Sequence, residues 1–179
     1  MNLRRAEPTE LAACAALSTQ VQSAYVWQVQ VERDATQPLV NTEIAVALRC
    51  IRLPRPVMLQ TVDPHLEELW RVAELVLVAE EGDAIAGYAV LTQAIEQPAW
   101  ILARLVVAPA LRLRGLGSQL IREAARLAQE QGQQALLAAC PVRNHPAVAC
   151  LIRGGLNFAG YSEATYARGD IALLWQRTV

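Results

Sequence analysis

The plainest hydrophobic patterning lies in the second half of the chain. "LVLVAE" at 75–80 and "AIAGYAVLT" at 84–92 are two apolar runs joined through Gly82 and Asp83, a pair suited to a tight turn, and they predict a hairpin. Gly87 within the second run marks a bulge. "AWILARLVV", Ala99 to Val107, predicts a third consecutive strand, ended by Pro109. From Gly117 to Glu130 the period changes. Leu120, Ile121, Ala124, Ala125, Leu127 and Ala128 share one side, and Gln119, Arg122, Glu123, Arg126, Gln129 and Glu130 the other, so a helix runs here until Gly132 ends it. "QALLAAC" is nearly all apolar and reads as an interior strand parallel to its predecessor, the helix being the right-handed crossover. Asn144 and Pro146 open a last short helix through Arg153; Gly154 and Gly155 stop it, and "LNFAGYS" and "DIALLWQR" predict closing strands.

The first half is less regular. Asn2 to Ala6 predicts a first strand, and Thr9 is placed to cap a helix carrying Leu11, Cys14 and Leu17. "YVWQVQVE" from Tyr25 alternates like a strand, "PLVNTEIAVALRCI" fits helix or strand, and the two prolines of "LPRPVML" require an extended segment. Together the elements predict one α+β domain over residues 1–179. Its sheet is mixed and mostly antiparallel, with one central parallel β-α-β unit and helices on both faces.

Composition narrows the function classes. The net charge of −1 and the pI near 6.1 argue against a nucleic-acid partner, so any anion site has to be local. All sixteen basic residues are arginine, which removes Schiff-base chemistry and a lysine base. Cys14, Cys50, Cys140 and Cys150 have neither zinc-site nor disulfide-framework spacing and read as small buried thiols in a reducing cytosol. Glu7, Pro8 and Glu10 interrupt the apolar run near the start, and no stretch reaches the ~20 apolar residues of a membrane span, so the expectation is a cytoplasmic protein without a membrane partner.

Chemistry concentrates in "LRLRGLGSQL", Leu111 to Leu120, between a strand end and a helix start. Unpaired N–H groups and the positive end of the helix dipole point outward together there, which attracts anions. Gly115 and Gly117 let a phosphate approach the backbone, while Arg112 and Arg114 can add charged donors. A Walker loop is excluded by the absence of lysine. A dinucleotide fingerprint is excluded because position 120 is leucine and the next strand carries no terminal acid.

The R-x-x-G-x-G arrangement of Arg112 to Gly117, preceded by "LVV" at 105–107 and followed by helix, strand, Asn144 and a short helix, resembles the GCN5-related N-acetyltransferase (GNAT) family. "NHPAVACLIRGGLNFAGYSEATYARGDIALLWQ" is similar to the ends of its streptothricin-acetyltransferase-like members, and the likeness covers about Leu75 to Trp175. The resemblance implies acetyl coenzyme A as cofactor and direct acetyl transfer to a primary amine of a small molecule or peptide. It implies that the backbone of Leu105, Val106 and Val107 pairs with the pantetheine arm, with the Val107 N–H on the oxyanion. On the same pattern the amides of Arg112, Leu113, Arg114, Gly115, Leu116, Gly117 and Ser118 hold the pyrophosphate, and Asn144 faces the cofactor near the thioester.

The chain departs from the family at several polar positions. The tyrosine that commonly protonates the leaving thiolate aligns with Arg153, the frequent fifth-strand glutamate with Ala139, and an often acidic fourth-strand position with Arg104. As substitutes, Tyr161 or Tyr166 can donate the proton, Glu32, Glu80 or Glu96 can relay one through water, and Arg153 can stabilise the thiolate. Trp27, Trp70, Trp100 and Trp175 read as core aromatics, although Tyr25 and Trp27 can wall an acceptor pocket. His65 reads as a surface residue, and His145 as a cap of the last helix rather than a base; the two histidines supply no metal site. Two rivals remain beside the enzyme: a catalytically degenerate acyl-CoA-binding module, and a structural domain whose loop holds nothing. Monomer and homodimer are both open.

Overall fold

Alternation along the central strands sorts their apolar side chains onto the two faces of a seven-stranded sheet. The structure is a computed structural model and describes residues 2–33, 44–59, 65–166 and 169–179. Its strands are β1 (Asn2–Arg5), β2 (Val21–Arg33), β3 (Ile44–Leu59), β4 (Leu75–Glu81), β5 (Ala84–Gln93), β6 (Ala99–Val107), β7 (Ala135–Pro141), β8 (Asn157–Ser162) and β9 (Ala172–Thr178). Its α-helices are α1 (Leu11–Ala15), α2 (Leu66–Arg71), α3 (Leu116–Glu130) and α4 (His145–Arg153). The main sheet has the order β1-β4-β5-β6-β7-β9-β8, with β6 and β7 parallel and the other pairs antiparallel. Leu77, Ala89 and Leu136 pack with Leu120, Ile121 and Ala124 of α3 and Val148 and Leu151 of α4; Val78, Tyr88 and Val90 pack on the opposite face with Cys14 of α1 and Leu66 of α2. Each fully buried aliphatic side chain contributes about 1.5–3 kcal/mol, so α3, with Leu116, Leu120 and Ile121 buried, clamps the sheet strongly.

Two irregularities shape the centre of the sheet. The register of β5 with β6 slips between Val90/Arg104 and Leu91/Leu102, which leaves Ala103 as an extra residue on β6. Trp100 and Leu102 face α3 and α4 before this bulge; beyond it Leu105 and Val107 take that face, and Val106 turns to the α1–α2 side. In the same place β6 parts from β7. Their parallel pairing covers only Ala99–Ile101 with Ala135–Leu137. From there β6 stays with β5 and β7 with β9, and a wedge-shaped gap opens toward the ends from which α3 and α4 depart.

Two expectations change, and one open reading is decided. The first helical turn starts at Pro8 as a 3-10 turn, and Glu7, not Thr9, stands at its cap, its N–H donating to Glu10 Oε2 at 2.7 Å. The bulge near Gly87 is at Ala86; Gly87 itself is required because a Cβ there would lie 2.7 Å from the Val106 carbonyl oxygen. "PLVNTEIAVALRCI" is strand from Ile44 onward, and its residues 38–43 lie outside the described residues. β2 and β3 form a separate two-stranded sheet, anchored where the Trp27 N–H donates to the Val142 carbonyl just beyond β7 (2.9 Å). Val26, Trp27, Val29 and Leu48 then pack against the α3–α4 face of the core.

Candidate active site

Both helices that follow the gap begin at its wide end, and they begin differently. α3 is preceded by Gly115 in the left-handed region (φ 87°), which places no side chain over the helix end. Its first helical bond is Gln119 N–H to Gly115 C=O (3.0 Å), and no carbonyl or side chain among the described residues accepts from the amides of 115–118. Leu113, exposed and also left-handed (φ 62°), holds the loop in this unfavourable shape. A Cβ built on Gly115 meets nothing within 4 Å, so the helix start is open at that residue.

The arginine–glycine motif divides its labour differently from expectation. Arg112 is not an anion ligand: its guanidinium donates to the carbonyls of Val107 (2.9 Å), Ser18 (2.7 Å) and Gln20, and so ties the loop to the segment before β2. The amides of Leu111 and Arg112 are occupied as well, by Ala108 and Pro109 carbonyls. Arg114 is exposed. Gly117 is buried, and a Cβ on it would lie 2.7 Å from Cys150 Sγ. Its bareness therefore serves α3–α4 packing, and Gly115 is the glycine that faces outward.

Backbone alternation corrects one further position. Ala108 N–H donates to Ala86 C=O (2.8 Å), which makes Val106 and Arg104 the residues bonded to β5. Leu105 and Val107 turn their N–H and C=O groups away from β5, toward the gap, and the Val107 carbonyl is the one Arg112 takes. Val106 is spent on β5.

At the start of α4 the cap is Asn144, whose Oδ1 accepts from the Ala147 N–H at 3.2 Å. His145 is thereby released from the capping role expected of it. Its ring lies 4.9 Å from Tyr25 and 5.9 Å from Trp27, centroid to centroid, and its Nδ1 is 3.6 Å from Cys50 Sγ on β3. Arg153 is exposed at the opposite end of α4, its carbonyl accepting from Arg122 (3.0 Å).

Of the two tyrosines, Tyr166 is the one brought to the gap. Burial pushes its hydroxyl up to about 12; Cys140 of β7 and Asp170 add to the rise, and Arg104 of β6 opposes it. Tyr161 stands on the edge strand β8, with β9 between it and β7. The glutamates are not gathered there: Glu80 is paired with Arg4 beside Glu10, and Glu32 and Glu96 are exposed elsewhere. Burial pushes Cys14 and Cys140 up to about 12 and also raises Cys50 and Cys150, so none of the four is poised as a thiolate. The reading of four buried thiols fails for Cys50, which is exposed.

A model of the acetyltransferase (GNAT) family matches residues 46–154, well over half of the chain. The chain belongs to the GNAT acetyltransferase family. The crystal structure of a nourseothricin acetyltransferase superposes with a TM-score of 0.78 at 23% identity, covering 99% of this chain and 97% of that one. A candidate streptothricin acetyltransferase of Bacillus anthracis, solved in complex with acetyl coenzyme A, gives 0.75 at 14% identity over 99% and 97% of the two chains. At these identities the likeness carries the GNAT fold. A mycothiol acetyltransferase of Mycobacteroides abscessus is 45% identical over 62 residues, which is 33% of this chain and only 21% of that protein's length.

Within this GNAT fold, sequence reading missed the juxtaposition of Cys50 and His145, ninety-five residues apart. No local signal carries it. The strand alternation of β2 and β3 was the single hint, since it sets Trp27 opposite Cys50. Among the described residues no cluster of three metal-ligating side chains occurs, and no helix is long and apolar enough to cross a membrane.

Proposed function

We propose that the chain transfers an acetyl group from acetyl coenzyme A directly to the primary amine of a small molecule or peptide. The observation that carries this is the uncapped start of α3 at the mouth of the gap, beside a β6 edge whose Leu105 and Val107 backbone groups are turned outward. Acetyl coenzyme A supplies the acetyl group activated as a thioester. The amides of 115–118 hold its diphosphate, helped by the α3 dipole and by exposed Arg114. Leu105 and Val107 offer hydrogen bonds to its amide-bearing arm in the manner of an added strand, and the Val107 N–H stabilises the developing oxyanion. Tyr166, protonated throughout the neutral range, donates toward the departing sulfur. With every thiol held protonated, transfer without an acyl-enzyme is the economical route.

Calorimetric titration with coenzyme A, followed by free-thiol release against a panel of aminoglycosides, polyamines, streptothricin and peptide N-termini, tests this. Binding with thiol release supports it. Binding without release from any amine would establish the second reading, an acyl-CoA-binding module, which the alanine at 139 and the scattered glutamates favour. Absence of binding would overturn both.

A further inference from the structure

The mouth of the gap has a second side, formed by β2, β3 and the first turn of α4, and the reading above leaves its chemistry unused. We propose that His145 is the general base for a cationic primary amine received against Tyr25 and Trp27, with Cys50 as the positioning residue that orients the imidazole. This rests on the acetyl-transfer reading above.

Three observations converge. Asn144 supplies the helix cap, so His145, the first residue of α4, is not needed for it and stands where β7 gives way to the helix. The ring is held on several sides, by Tyr25 (4.9 Å), by Trp27 stacked at 23° and 5.9 Å, and by Cys50 Sγ 3.6 Å from Nδ1. In the tautomer that directs Nδ1–H at the sulfur, which the proposal assigns, the Nε2 lone pair is the one left to take a proton. The electron-rich faces of a tyrosine and a tryptophan favour a cation over a neutral molecule, which selects an ammonium group as the incoming species. Among the described residues, the charged and titratable neighbours are Tyr25 on β2, Cys50 and Arg52 on the same face of β3, and the Arg143–Asp170 ion pair in the turn before α4 and the loop before β9. None of them is a carboxylate free to take the proton in place of His145: Asp170 is bound to Arg143.

The step balances as follows. His145 Nε2 accepts one proton from the ammonium and passes it to solvent. The freed nitrogen lone pair forms the C–N bond at the acetyl carbonyl, the C–S bond breaks, and the sulfur leaves with the second nitrogen proton, delivered through the Tyr166 hydroxyl.

The test has two arms. In the kinetic arm, His145→Gln lowers kcat/KM at pH 7 by about 100-fold or more. The deficit narrows toward pH 9.5, where more of the amine has lost its proton unaided, while the coenzyme A dissociation constant stays within twofold. Cys50→Ala lowers kcat and shifts the acid limb of the profile without changing the KM for amine, and Cys50→Ser restores most of the loss. A His145→Gln profile superimposable on that of the unmodified enzyme overturns the proposal. In the second arm, Cys50 of the apoprotein is alkylated with iodoacetamide and the adduct quantified by mass spectrometry. Amine acceptors slow Cys50 labelling, and Trp27→Ala abolishes the protection. Absence of protection by every amine in the panel overturns the proposal even if transfer proceeds, whereas protection without thiol release supports this site and counts against the transfer reading alone.

Discussion

The two helix starts at the wide end of the gap face the same opening and solve the same physical problem in opposite ways. α4 follows β7 through Asn144, whose side chain takes one of the orphan amides, so that helix is complete by itself. α3 follows β6 through Gly115, which has no side chain to offer, on a loop held in place by Arg112 and strained at Leu113. On the proposed function, a helix end left unsatisfied at some conformational cost is a binding device, whereas one closed by its own cap is architecture. An arginine next to glycines is thus not itself evidence of an anion ligand. Here the nearer arginine builds the loop, and the proposed function leaves the holding to the backbone.

That contrast can be broken by making each junction resemble the other. The largest effect is expected from Gly117→Glu, which drives a carboxylate into the space filled by Cys150, Leu105 and Val107. It should cost about 4 kcal/mol or more, read as a collapse of the urea or thermal midpoint, and any loss of ligand in it reports unfolding. Gly115→Asp addresses the site directly, because its carboxylate faces open space and can cap α3 from within. Losing two charge-assisted hydrogen bonds should weaken coenzyme A binding about 100-fold by calorimetry, with roughly 1 kcal/mol of added backbone strain. Gly115→Ala, sharing the strain without the charge, should weaken binding far less.

Asn144→Ala should remove about 1 kcal/mol of stability and leave the coenzyme A affinity much closer to its original value than Gly115→Asp does. A larger effect on affinity than on stability would return Asn144 to the ligand. A last test concerns titratable groups buried in the interior, on both faces of the sheet. Cys14, Cys140 and Tyr166 are held protonated up to about 12, against ordinary values of 9.0, 9.0 and 10.0. The unfolded chain therefore releases these protons first as pH rises. The stabilisation they carry is complete below pH 9 and is lost between pH 9 and 12, so the urea midpoint should fall across that window, less steeply in Tyr166→Phe.

Much of the sheet was legible because strand alternation and helix periodicity are local. The hairpin of β4 and β5, the strand β6, the amphipathic face of α3 and the parallel crossover all follow from the spacing of apolar residues. The bare start of α3 was legible for the same reason, since a strand end, a glycine and a helix start are neighbours in the chain. What Arg112, Gly117 and Val106 touch was not legible, because each partner comes from outside its own segment: Ser18 and Gln20 for Arg112, Cys150 for Gly117, Tyr88 for Val106; Asn144 opens α4 as its sequence predicts.

By itself the amino-acid order determined where strands and helices form and where a bare helix end would lie, because those depend on side-chain spacing over a few residues. Only the tertiary structure decided which polar groups remain unspent. The bulge at Ala103 and the parting of β6 from β7 expose Leu105 and Val107, and the packing of β2 and β3 on α4 brings Cys50 to His145. Hydrogen bonds and ring contacts are short-ranged in space and indifferent to distance along the chain, so their allocation is settled when the chain folds.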